Sequence, residues 1–137
     1  MTRAMTWLLP VLIAAGCASP GAATTAPGLT LSALATTVSV AEAAALRDEG
    51  AFLLDVREPD EWAAGHIPDA TLIPLGQLAS RVGELERHRK IVVVCRSGNR
   101  SAEGRDILLA AGFPAVTSLD GGLTEWAQAG LPMETGG

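Results

Sequence analysis

Tyrosine is absent from this 137-residue sequence, and with two Phe and three Trp the aromatics reach only 4%. The core must therefore come from aliphatic side chains, with small-residue helices packed on Val/Ile/Leu strands. There is no long basic run and the net charge is −5, which argues against nucleic acid as a partner. Two cysteines and two histidines have no recognisable zinc-ligand spacing, so no metal site is assigned and no cofactor is implied. Histidine, cysteine and aromatics are all too sparse to crowd the sequence with rival sites.

The one extended apolar run is near the start. Arg3 gives a thin positive region, and residues 4–15 are apolar but too short to span a bilayer comfortably. The run ends Ile13-Ala14-Ala15-Gly16-Cys17, which resembles a bacterial lipobox, with Ala14 where that pattern more often has Leu. The resemblance implies a signal peptide over residues 1–16 and a lipid on Cys17. Residue 18 is Ala rather than acidic, which in a diderm host implies the periplasmic side of the outer membrane. The expectation is an exported protein held at the membrane through Cys17. With Cys17 acylated, Cys95 is the one thiol left, and it has no intramolecular disulfide partner in an oxidising compartment.

Cys95 sits where chemistry is expected. The β-branched run Ile91-Val92-Val93-Val94 ends on it, a loop with Arg96, Gly98 and Arg100 follows, and a helix is predicted over residues 101–111. A thiol between a buried strand and a helix N-terminus meets unpaired backbone N–H groups and the positive end of the helix dipole. Such a cysteine is acidic and reactive.

Residues 17–36 are rich in Ala, Thr, Pro and Gly without charge and read as a flexible tether, and residues 134–137 as a flexible tail. Between them, strands are predicted at residues 37–39, 52–56, 71–73, 91–94 and 116–119. Helices are predicted at 40–48, 59–64, 76–88, 101–111 and 123–128. The third is amphipathic through Leu78, Val82 and Leu85. Strands alternating with helices imply an α/β domain with a parallel sheet covered on both faces. Its site lies beyond the C-terminal strand ends, where Cys95 falls.

Further motifs recur in order: Leu54-Asp55-Val56-Arg57-Glu58, then Glu61-Trp62-Ala63-Ala64-Gly65-His66-Ile67-Pro68-Asp69-Ala70. The loop Cys95-Arg96-Ser97-Gly98-Asn99-Arg100-Ser101 follows, then Ala111-Gly112-Phe113, Gly121-Gly122 with Trp126, and Gly130-Leu131-Pro132. Together they resemble a single-domain rhodanese-like sulfurtransferase over residues 37–133. The resemblance implies a five-stranded, mainly parallel sheet with helices on both faces and a persulfide carried on Cys95. Its partners would be a small sulfur-donor anion such as thiosulfate and a thiol or protein acceptor.

The loop residues then divide the work. Amides from Arg96, Ser97, Gly98, Asn99, Arg100 and Ser101 ring the sulfur, and Gly98 permits the curl. Arg96 and Arg100 attract an anionic donor, although Arg96 also reads as a solvated charge and Arg100 as a partner for Glu103. Ser101 reads as the helix N-cap, with donation to the sulfur as its second role. Asp55 and Arg57, at a strand end, read as an ion pair organising the loop, with substrate contact second. His66 reads as a structural hydrogen-bonder and Trp126 as core. Two other classes stay open: a sulfur carrier or binding module without turnover, and a phosphatase or arsenate reductase on the same fold. The latter uses the longer Cys-x5-Arg loop, whereas Cys95 and Arg100 give Cys-x4-Arg.

Overall fold

The computed structural model describes residues 31–137. The expected signal peptide, Cys17 and residues 18–30 lie outside the described residues. In chain order the elements are β1 (Thr37–Val38), α1 (Val40–Asp48), β2 (Phe52–Asp55), α2 (Pro59–Ala64) and β3 (Thr71–Leu72). These are followed by α3 (Leu75–Arg81), β4 (Ile91–Val94), α4 (Asn99–Ala110), β5 (Val116–Leu119) and α5 (Gly122–Gln128).

β4 is buried at every position, as a strand enclosed on both faces requires. It lies at the centre of the sheet, in the order β1-β5-β4-β2-β3. All four pairings are parallel, so the sheet expected to be mainly parallel is wholly so. The period-two alternation of the strands sorts their side chains onto two faces. Leu54, Val93, Cys95 and Val116 pack with Leu78 of α3 and Leu108 of α4. Leu53, Val92, Val94 and Leu119 pack with Ala43 of α1 and with Leu123 and Trp126 of α5.

Two features set α4 close over the end of β4. A Cβ at Gly104 would already stand 3.1 Å from Val93 and 3.3 Å from Val56, so the glycine brings helix and sheet together. Gly98, at φ +109°, turns the chain from strand into helix.

The helix expected over residues 76–88 is shorter. The α-helix ends at Arg81, a 3-10 turn covers Val82–Glu84, and Leu85 is extended. Gly83 weakens the α-helix there, and Arg81 binds Glu84 through Nε and Nη2 at 2.7 and 3.0 Å across the tightened turn. Leu78 and Leu85 still bury in one cluster.

The ends of the domain are also tied to it. Leu31 and Leu34, within the stretch read as tether, are half-buried. Leu31 lines a cavity with Gly50, Ala51 and Lys90, where β2 and β4 begin, and Leu34 lines another with Val38 and Leu46. In the stretch read as a flexible tail, Glu134 exchanges backbone hydrogen bonds with His66, and Gly136 donates to Ala63 at 3.0 Å.

Candidate active site

Cys95 follows the last residue of β4 and is 1% exposed. The Gly98 amide donates to its Sγ at 3.1 Å, and Ser101 Oγ stands 3.6 Å from the same atom. Burial pushes the thiol pKa up. The Ser101 hydroxyl and the amides of Ser101, Gly98 and Ser97 together outweigh burial and hold it below the ordinary value. These donors stand at the opening of the twelve-residue helix α4.

Ser101 is not the N-cap. Gly98 holds that position, and Ser101 lies in the first turn of α4, wholly buried, its hydroxyl donating to the Gly98 carbonyl at 2.9 Å. The helix starts two residues earlier than expected because the left-handed glycine supplies the turn. This moves Ser101 inward, where its hydroxyl can rotate its one proton toward an ionised sulfur.

The loop carbonyls are held on the other side. Leu123 N–H donates to the Cys95 carbonyl at 2.9 Å, and Thr124 gives its N–H and hydroxyl to Arg96 O at 3.2 and 3.0 Å. The first N–H groups of α5 are thereby satisfied by the loop. A Cβ on Gly122 would fall 2.5 Å from backbone atoms of Cys95 and Arg96, so only glycine allows this approach. Sequence reading gave Gly122 and Thr124 no role in the site; the signal was a glycine pair directly ahead of a helix.

The charged groups separate into buried, paired and free. Asp55 and Arg57 are 0% and 6% exposed and meet at 2.7 Å, and Asp55 also accepts the Arg57 N–H. Arg57 Nη1 and Nη2 reach the carbonyls of Glu61 and Gly65 at 3.2 and 2.8 Å. The pair therefore fixes α2, and its bonds go to that helix rather than to the Cys95 loop it was expected to organise. Arg100 pairs with Glu61, not Glu103, through two bonds of 2.7 and 2.8 Å. The Arg100 guanidinium holds the Glu61 carboxyl at about 2, and Glu61 in turn raises Arg100. Arg96, Ser97 and Asn99 are exposed, and the Arg96 side chain has no bonded partner among the described residues.

His66 and Trp126 are structural. The His66 ring nitrogens lie 3.0 Å from Trp62 O and from Glu134 Oε1, and the ring stacks on Trp62 at 3.6 Å. Trp126 is fully buried and donates to Pro132 O. Among the described residues no cluster of His, Cys, Asp or Glu could hold a metal ion.

Fold and site together define a parallel α/β domain with a buried cysteine at the end of its central strand, the sulfur accepting from the Gly98 amide. The chain belongs to the rhodanese-like family, whose domain model matches residues 39–129. It is 40% identical over 85 residues to a sulfurtransferase of Allochromatium vinosum, covering 62% of this chain and 79% of that one. Over 94 residues it is 38% identical to the thiosulfate sulfurtransferase GlpE of Pseudomonas syringae pv. syringae, covering 69% and 88% respectively. A crystal structure of a rhodanese-related protein from Thermoplasma volcanium superposes with a TM-score of 0.68 at 31% identity, covering 73% of this chain and 98% of that one.

Proposed function

We propose that the protein transfers sulfane sulfur through a persulfide on Cys95. The carrying observation is the cradle itself: the Gly98 N–H donates to Sγ at 3.1 Å, and the Ser101 hydroxyl, 3.6 Å away, stands where rotation turns its proton to the negative charge of thiolate and persulfide. The thiolate attacks the outer sulfur of a donor. A new S–S bond forms at Sγ, the donor's own S–S bond breaks, and its electron pair leaves on sulfite or on the donor's thiolate. A thiol or cyanide acceptor then takes the outer sulfur and restores the Cys95 thiolate. No general base is needed once the thiol is ionised, which agrees with His66 being engaged by Trp62 and Glu134. The sulfurtransferase names of the relatives support the reading. Phosphatase or arsenate reductase chemistry is disfavoured, because Arg100, the loop arginine that would hold an oxyanion, is paired with Glu61.

Intact mass before and after thiosulfate or a persulfide tests this. The expected result is one added sulfur atom, removed by cyanide and absent in Cys95→Ser. A free thiol that gains no sulfur from either donor would overturn the reading. Repeated turnover with cyanide separates a catalyst from a carrier.

We also propose that Cys17 carries a lipid that holds the domain at the cell envelope, supported by the apolar run and the residues ahead of Cys17. Cys17→Ser should release the protein from the membrane fraction and leave sulfur transfer intact. Retention of that variant on membranes would count against the anchor.

A further inference from the structure

The charges around the loop differ from those expected of a site for a dianion. Arg100 is committed to Glu61 by two parallel bonds of 2.7 and 2.8 Å. Glu61 in turn is held on a fixed frame: its Oε2 accepts the Glu58 amide at 3.1 Å, and its carbonyl accepts from Arg57, which buried Asp55 anchors. Drawing Arg100 toward an incoming anion would strand a partly buried carboxylate. The pair therefore presents little net charge to a donor. Near the loop, the Asp120 carboxylate would lie 4.0 Å from a Cβ on Gly98, and the Glu125 carboxylate folds over Gly121. Among the described residues that leaves Arg96 as the loop's unpaired cation.

We propose that the Glu61–Arg100 pair sets the choice of sulfur donor, favouring hydropersulfides over dianionic thiosulfate. This rests on the sulfurtransferase reading. A hydropersulfide, R–S–SH, puts at most one negative charge on its reacting sulfurs, whereas thiosulfate brings two. In the favoured step the Cys95 thiolate bonds to the outer sulfur, the donor's S–S bond breaks, and the electron pair leaves on the inner sulfur as R–S−. The proton stays on the transferred sulfur, so charge and atoms balance without another reactant. Glu61 is a positioning residue that acts by withholding Arg100.

The test compares kcat/KM for a hydropersulfide with an uncharged R group, 2-hydroxyethyl hydropersulfide, and for thiosulfate, with cyanide as acceptor, in the wild type and in Glu61→Gln and Arg96→Ala variants. The wild type should prefer the persulfide. Glu61→Gln frees one positive charge, so the ratio should move toward thiosulfate by about five- to tenfold, as one partly exposed unit charge would give. That gain should come through KM and fade with added salt, which a merely structural role would not produce. Arg96→Ala should raise KM for thiosulfate. A wild type that prefers thiosulfate, or a Glu61→Gln variant that loses both donors in parallel, overturns the proposal. An Arg96→Ala variant with unchanged thiosulfate KM also overturns it. If neither donor loads Cys95, the sulfurtransferase reading itself fails, an outcome distinct from these.

Discussion

Leu123 donates its backbone N–H to the carbonyl of Cys95 at 2.9 Å, joining the start of α5 to the residue that carries the thiol. The contact exists because Gly122, at φ +58°, brings the helix against the loop backbone. Gly122→Ala should cost roughly 1–2 kcal/mol in backbone strain alone, with the collision at 2.5 Å added. Thermal unfolding should show the loss, and sulfur loading of Cys95 should drop with it. Unchanged stability would mean that the two segments separate freely.

Asp55→Asn leaves the Arg57 guanidinium buried without its counter-charge. The expected destabilisation is roughly 3–5 kcal/mol, read from denaturant midpoints. Because Arg57 also holds the carbonyls of Glu61 and Gly65, α2 should loosen and the Glu61–Arg100 pair with it. A variant as stable as the wild type would remove Asp55 from the framework.

Only the thiolate attacks, and hydrogen bonds keep the Cys95 pKa below the ordinary value despite burial. Alkylation and sulfur loading should therefore rise with pH and level off earlier than for an ordinary thiol. Ser101→Ala removes a bond to the charged form while burial persists, so the midpoint should shift upward and the neutral-pH rate fall. Thiolate absorbance against pH checks both. The sign for stability follows from the lowered pKa: ionisation of Cys95 stabilises the fold above the unfolded thiol pKa, and this is lost as pH falls through the folded one.

Thr117 is fully buried in β5, and its Oγ1 is the one buried side-chain polar atom lacking a partner among the described residues. Thr117→Val keeps the shape and removes the unsatisfied hydroxyl, so stability should rise by about 1 kcal/mol. A lower melting temperature would show that the hydroxyl has a partner after all, such as a buried water.

The strands were legible because burial on both faces writes near-continuous Val/Ile/Leu runs, and β4 and β5 match their expected limits. The helix over residues 76–88 misled because Leu78, Val82 and Leu85 keep an apolar period through a 3-10 turn as well as through an α-helix. Cys95 was legible from its position between strand and helix. The Glu61 partner of Arg100 was not, since a pair formed across 39 positions leaves no local spacing, whereas Glu103 lies nearby in sequence. Ser101 was misplaced by one turn because its residue type suits a cap, and only the backbone of Gly98 shows that the position is taken.

Leu31 lies beside Gly50, Ala51 and Lys90, at the pole from which β2 and β4 set out, whereas Cys95 stands where β4 arrives. Four strand residues, about 13 Å of extended chain, separate the two poles. Whatever precedes Leu31 thus joins the domain on the side away from the sulfur. The entry of the chain and the thiol occupy opposite ends of the central strand.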